Sequence, residues 1–360
     1  MNNTPESGPL NELKVIELSN ALAGPSAAMF FAEMGATVRK YENKRTGGDI
    51  TRKWRKPDES GSISSYYASV NYGKEVVLVD LEQEEDFDLL WKDLEHTDLV
   101  ISNFKPGSAE KLGLGYEKLQ TAFPALIIIH LVGYDQHTSR PAFDLAIQAE
   151  TGYMYLNRQP EEQPMKFPFA FTDVMAGYQI RSAALLALYQ REKNGKGNYI
   201  TVSLYQTGIA GLINQASYYL MTGMQPEPLG SLHPTIAPYG EIFKSADEKI
   251  FTIAIGTDDQ FNAIIDALEM PEGYNHNQFT SNVLRVKNRE LLYGYLSYSF
   301  KLLNWNALEK QFLRKNVPFG LVANMSEVFH HELAKQMIRE SDGPEGKIKT
   351  VSTVAFKVKE

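Results

Sequence analysis

The stretch Leu13–Glu42, LKVIELSNALAGPSAAMFFAEMGATVRKYE, decides the fold. LKVIEL alternates and carries β-branched side chains, which reads as a strand. A turn follows at SNALAGP, then a helix rich in Ala, Met and Phe that Gly35 closes, then a second strand in TVRKYE. Strand, helix, strand is a β-α-β unit. The alternation continues with EVVLVDL (strand), EEDFDLLWKDLEHT (helix), DLVISNF (strand), GYEKLQTAF (helix) and LIIIHLVGY (strand). Strands that alternate with helices predict an α/β domain built on a mostly parallel, doubly wound, Rossmann-like sheet.

Past this run, a long helix opens near Asp173 and breaks at Gly195 and Gly197, and YITVSLY reads as a further strand. Helical sequence then runs through Met221. The composition shifts to Pro and Gly in TGMQPEPLGSLHPTIAPYG, a linker. The expected organisation is a large α/β domain over 1–222, a linker over 223–240 and a smaller α+β domain over 241–334. No internal repeat or low-complexity tract appears.

Composition excludes several classes. The 360 residues contain no cysteine, which removes disulfides, Cys-ligated zinc and iron–sulfur clusters. A net charge of −8 argues against a general nucleic-acid binder. No apolar run is long enough to span a bilayer, and MNNTPESGPLNELK has no leader pattern, so the expected location is the cytoplasm. The charge is uneven, however. Arg39–Lys56 carries eight basic residues against Glu42 and Asp49, either a solvated face or a landing site for a compact polyanion such as nucleotide phosphates.

The motifs of common chemistries are missing. No G-x-G-x-x-G follows LKVIEL, NGKGNYIT lacks P-loop spacing, and no G-x-S-x-G elbow occurs. HHELAK has Lys335 where a zinc helix needs His, and the other histidines show no metal-ligand spacing, so no metal is expected. One acid stands out. In FPFAFTDVMAGYQIRSAALLALYQ, Phe167–Gln190, Asp173 sits among aromatics and small apolar residues at a helix start. The simple reading is an N-cap by Thr172 or Asp173; the sharper one is a nucleophilic or basic carboxylate held ionised by the helix dipole.

Several phrases in order resemble the family III CoA-transferases, the CaiB/BaiF family. The opening stretch resembles the family's strand, L-A-G-P turn and helix. GGDITR is similar to its G-D-x-x-R, NYGKEVVLVDL to its N-x-x-K and D-L segment, and DLVISNFKPGSAEKLGLGYEKL to its N-F-x-P-G…L-G-L-G-Y. FDLAIQAETGYM, NGKGNYITVSLYQ and GSLHPTIAPYG resemble further family segments. The resemblance covers nearly the whole chain. It implies that Asp173, in TDVMAG with Gly177, is the catalytic nucleophile. The carboxylate attacks an acyl-CoA thioester, and CoA passes to a carboxylic acid through aspartyl anhydride and thioester intermediates.

The resemblance also implies a CoA-binding set. Leu22 and Ala23 meet the pantetheine and thioester end, and Asn103 and Phe104 flank the adenine. Lys74, Lys111 and Arg52 meet phosphates, and Asp144 completes the set. It implies an interlocked homodimer, with 335–360 returning to the large domain. Asp258 in GTDDQF is a further acid, either supporting the site or capping a helix. The α-methylacyl-CoA racemases of the same superfamily pair the nucleophile's counterpart with a His; here Phe143 precedes Asp144, which argues against two-base proton exchange unless His137 reaches in. A non-catalytic acyl-CoA-binding subunit of a hetero-oligomeric transferase is the other alternative. The acids exchanged are not legible.

Overall fold

Six parallel strands form the central sheet: β1 (Lys14–Leu18), β2 (Thr37–Asn43), β3 (Glu75–Val79), β4 (Leu99–Ser102), β5 (Ile127–Val132) and β6 (Tyr199–Ser203). Their order is β3-β2-β1-β4-β5-β6. The order reverses between β1 and β4, and the crevice beyond the strand C-termini at such a reversal is where open α/β sheets take ligands. The computed structural model describes residues 8–135, 137–343 and 346–358. The expectation that no leader opens the chain concerns residues 1–7 in the main, outside that range.

The central strands read as nearly continuous apolar runs because both faces of the sheet are covered. Helix α1 (Ala23–Glu33) and part of the long helix lie on one face, where Ala27, Phe31, Ile127, Ile129, Ile180 and Ala184 share one core. Helices Glu84–Leu94 and Tyr116–Ala122 cover the other through Leu90, Leu94 and Leu119. Burying an Ile or Phe side chain in such a core contributes roughly 1.5–3 kcal/mol. Two further helices position the candidate site: α2 (Asp144–Glu150) and α3 (Phe171–Asn194). Gly195, at φ 69°, stops α3. One face of α3 buries Thr172, Ala176, Gly177, Ile180, Arg181, Ala184 and Ala187. Tyr178, Leu185, Leu186 and Tyr189 stay exposed on it.

Two units divide the chain. One holds the described residues up to Tyr155, Met165–Pro226 and those from Leu333 on; the other holds Leu156–Pro164 and Glu227–Glu332. Residues 156–164 thus group with the smaller unit, not with the run 1–222 in which they were expected. In the smaller unit β7 (Tyr239–Lys244), β8 (Ile250–Ala254) and β9 (Phe319–Leu321) form an antiparallel sheet in that order. Its core is aromatic, with Phe300 edge-on to Phe243 at 4.9 Å and to Phe251 at 5.1 Å. Asp258 belongs to this unit, where it pairs with buried Arg285 at 2.6 Å; the cap of its helix is Thr257.

In the larger unit, β10 (Ile338–Gly343) and β11 (Gly346–Val351) form a hairpin. Past it, Thr353 donates through N–H to Glu33 at the end of α1, at 2.9 Å. Arg181 of α3 reaches both the Ser26 carbonyl (2.8 Å) and the Thr353 carbonyl (3.4 Å). The last described segment therefore pins α1 and α3 together. Among the described residues no helix is long and apolar enough to cross a membrane.

Candidate active site

The turn from β1 into α1 is the floor of the site. Ala21 adopts φ 73°, a left-handed conformation that costs a residue with a Cβ about 1 kcal/mol. A Cβ on Gly24 would lie 2.3 Å from Ser19 Oγ, so only glycine lets α1 start this close to β1. From the end of β4, Asn103 accepts from the Asn20 N–H (3.2 Å) and donates to the Asn20 carbonyl (3.0 Å). The first turn of α1 leaves the backbone N–H groups of Leu22 and Ala23 without intrahelical acceptors.

Above this floor lies a cavity of about 410 Å³, lined by Leu22, Ala23, Asn103, Phe104, Phe143 and Asp173 among others. It opens where β1, β4 and β5 end, at the reversal of strand order. Asp173 reaches it because α3 crosses α1 closely. A Cβ on Gly177 would stand 2.2 Å from Ser26 Oγ, so the crossing requires glycine there.

The structure answers whether Asp173 caps its helix. The N-cap position is Ala170, with no side-chain cap of its own. The cap comes from α2: one Asp144 oxygen accepts both the Thr172 N–H and the Thr172 hydroxyl at 2.8 Å. Its other oxygen accepts from Gln148 Nε2 at 2.7 Å. Gln148 in turn accepts the Phe167 N–H at 2.9 Å and donates to the Phe169 carbonyl at 3.3 Å. The aromatic lead-in to α3 is fixed by this side chain and by Phe171, which packs 5.0 Å from Tyr153.

Asp173 is thereby relieved of capping. Half-buried, it makes no hydrogen bond or ion pair to any described residue. Burial first, and the charge of Asp144 second, push its carboxyl up to about 7. Burial thus works against the ionised form that a helix start would favour. Tyr66, which sequence reasoning passed over in SISSYYASV, is electrostatically linked to Asp173. Burial, then the Asp173 and Asp144 charges, raise its phenol to about 12, so it stays a hydroxyl donor. Trp54 packs edge-on against it at 5.0 Å.

The expected binding set divides. Leu22, Ala23, Asn103 and Phe104 line the Asp173 cavity. Lys111 lines an adjoining cavity of about 310 Å³, which shares Asn20 and Phe104 with the first. Lys74 is not brought to either. Its fully buried ammonium donates to Glu17 (2.6 Å), the Pro25 carbonyl (2.8 Å) and Asn71 (3.0 Å), and all three of its protons are committed. Arg52 is likewise engaged, by Glu42 at 2.6 Å and Tyr67 Oη at 2.6 Å. Asp144 has both oxygens on the helix cap and Gln148. Lys74, Arg52 and Asp144 thus have partners within the protein, and none of the three but the capping Asp144 bears on the Asp173 helix.

The first half of the basic stretch is engaged in the same way. Arg39 pairs with Glu75 and Asp93, Lys40 with Glu17 and Asp49, Lys44 with Asp86, and Arg45 with Glu82. A polyanion would have to displace acids already in place at these four, whereas Lys53 and Arg55 donate to backbone carbonyls and have no ion pair among the described residues. Lys105, unremarked in SNFKPG, lines the Asp173 cavity and has no ion pair among the described residues. His137 lines a different cavity, of about 450 Å³, from which Asp173 is absent.

Comparison with known proteins shows what the chain is similar to. The sequence model of CoA-transferase family III matches residues 10–360. A succinate–glutarate CoA-transferase of Agrobacterium fabrum is 33% identical over 331 residues, covering 89% of this chain and 82% of the relative. A succinyl-CoA:glutarate CoA-transferase of Homo sapiens is 31% identical over 324 residues, covering 89% and 73%. The crystal structure of a CaiB/BaiF family protein from Brucella suis superposes with a TM-score of 0.83 at 32% identity, over 98% of this chain and 93% of that one.

Proposed function

Because the chain belongs to CoA-transferase family III, we propose that it moves CoA from an acyl-CoA to a carboxylic acid with Asp173 as nucleophile. The observation that carries this reading is the Asp173 carboxylate itself: unpartnered, half-buried at the reversal crevice, and freed from capping by Asp144. An Asp173 oxygen attacks the thioester carbonyl carbon, the C–S bond breaks, and CoA leaves as thiolate from a mixed anhydride. The thiolate then attacks the Asp173 carbonyl carbon and releases the donor's carboxylate, leaving an aspartyl-CoA thioester. The acceptor carboxylate repeats the sequence in reverse and departs as the new acyl-CoA, which restores Asp173. The Leu22 and Ala23 N–H groups are the donors offered to the developing oxyanion. Lys105 and Lys111 are the cations offered to CoA phosphates.

A carboxyl raised to about 7 suits both halves of this cycle, since a more basic carboxylate attacks better yet still ionises near neutrality. Phe143 lines the cavity where a racemase needs a proton carrier, and its ring can carry none, which supports transfer over proton exchange. The relatives' names make succinyl-CoA and glutarate the first donor and acceptor to try. The reading includes a homodimer, supported by the exposed Tyr178, Leu185, Leu186 and Tyr189 on α3, and a cytoplasmic setting.

The test is intact-mass analysis after incubation with a panel of acyl-CoAs including succinyl-CoA, with hydroxylamine as trap and Asp173→Ala as control. A CoA adduct or hydroxamate at Asp173 is expected. Adduct formation that survives Asp173→Ala would overturn the assignment. CoA binding with no adduct from any donor would point to the binding-subunit alternative, and solvent deuterium at the α-carbon of a branched acyl-CoA to the racemase.

A further inference from the structure

The turn that floors the cavity rests on a cluster of buried charges that the proposed chemistry does not use. Glu17, Lys40 and Asp49 are fully buried. Lys40 Nζ lies 2.6 Å from Glu17 and faces Asp49 Oδ2 at 3.0 Å. Lys74 completes the cluster on the other Glu17 oxygen. Ion pairs buried this deeply contribute little net stability, because desolvation offsets attraction. Their contacts, however, converge on one short piece of backbone. Lys40 donates to the Ser19 carbonyl at 2.9 Å. Asp49 Oδ1 accepts from the Ala21 N–H at 3.3 Å, held in place by the Thr51 N–H (3.0 Å) and hydroxyl (2.9 Å). Lys74 donates to the Pro25 carbonyl at 2.8 Å.

We infer that Asp49, Lys40, Glu17 and Lys74 are positioning residues, which hold the Ser19–Pro25 turn so that the Leu22 and Ala23 N–H groups point at the reacting carbonyl. Ala21 makes the grip necessary. At φ 73° it would relax toward right-handed or extended backbone if its N–H were released, and Leu22 would turn with it. Asp49 restrains the strained residue itself, while the two lysines anchor the turn at its two ends. With buried Glu42, which accepts the Asp49 N–H at 2.9 Å, and its partner Arg52, the arrangement is charge-balanced, three anions and three cations, so it stays buried without a counter-ion from solvent. No member reaches the cavity; each acts through the backbone.

This inference rests on the proposed transfer for its kinetic consequence but not for its structural one, and the test separates them. Asp49→Ala in the full chain removes the acceptor of the Ala21 N–H. Hydrogen exchange in the peptide spanning residues 19–26 is expected to accelerate at least tenfold, with sheet peptides of β4 and β5 unchanged. In the succinyl-CoA and glutarate assay kcat is expected to fall about 10- to 100-fold, with KM for the acyl-CoA within about threefold. Adding Ala21→Gly, which adopts the left-handed conformation without strain, is expected to recover most of that loss. A role in folding alone would not respond to residue 21. Should Asp49→Ala fail to fold, the charge-balanced pair Glu17→Gln with Lys74→Met, which frees the Pro25 carbonyl but leaves Asp49 on Ala21, is expected to speed exchange at 19–26 and lower kcat, without rescue by Ala21→Gly.

A folded variant with unchanged exchange at 19–26 would overturn the inference, as would parallel losses in kcat and KM that Ala21→Gly leaves in place. Failure of both variants to fold would make the cluster a folding device and overturn it equally. Absence of transfer by the unaltered protein would count against the proposed function, while the exchange result still decides the grip.

Discussion

The smaller unit and the crevice beneath α1 bury opposite kinds of side chain. The core of the smaller unit is a stack of Phe243, Phe251, Phe300, Phe312 and Trp305. Beneath the turn at Ser19–Pro25 the buried groups are Glu17, Lys40, Asp49 and Lys74. Apolar packing contributes a large, non-directional free energy and tolerates small shifts of its members. Charge clusters contribute little net stability but fix positions to a fraction of an ångström, since each hydrogen bond has a preferred length and direction. The difference teaches where this protein needs stability and where it needs geometry.

The largest effect that sharpens the contrast is Asp173→Asn. Activity is expected to fall on the order of 10³-fold or more, with far-UV circular dichroism unchanged. Stability should move the other way. A carboxyl whose folded value is raised, here to about 7, binds protons more readily when folded, so it costs stability increasingly as pH rises from about 4 to 7. The Asn variant should melt above the parent at pH 8, and the gap should close at pH 4. Equal melting at both values would contradict the burial of Asp173.

Phe251→Ala should do the reverse. Fully buried Phe251 is expected to cost about 3–5 kcal/mol of stability on truncation, read by urea unfolding. Turnover by the folded fraction should remain within about twofold of the parent. A smaller effect is a shift of pH profile. The acid limb of kcat should fall near pH 7, and Asp144→Asn should move it downward, because the Asp144 charge is the second cause of the raised value and an amide oxygen still accepts the Thr172 N–H. The smallest expected change is Lys105→Ala, about a tenfold rise in acyl-CoA KM with kcat unchanged, weakening further as salt is added.

Much of the sheet was legible because parallel strands covered on both faces read as apolar runs, and β5 in LIIIHLV is the plainest instance. The helix carrying Asp173 was legible from Gly195 and from its small residues. The cap was not. Asp144 lies 28 residues before Thr172, and no local rule links them. Local counting also misread the first half of the basic stretch: Arg39, Lys40, Lys44 and Arg45 are answered by Glu17, Glu75, Glu82, Asp86 and Asp93, which other elements bring in. Lys74 is held by Glu17, 57 residues away, and Arg52 by Glu42 and Tyr67, pairings that no local pattern announces. Lys105 was overlooked between Phe104 and Pro106, although its neighbours in SNFKPG were read. Residues 156–164, LNRQPEEQP, turn polar and Pro-rich, which marks a loop but does not say that it groups with the smaller unit.

The contact of Arg181 with the Thr353 carbonyl bears on how the protein is made. Asp173 and the strands around it leave the ribosome long before Thr353 does. Until that residue emerges, α1 and α3 meet without the segment that pins them, and the nucleophile's seat is assembled but not locked. A chain cut ahead of Thr353 would therefore keep every strand of the sheet and lose one of the two carbonyls that Arg181 holds.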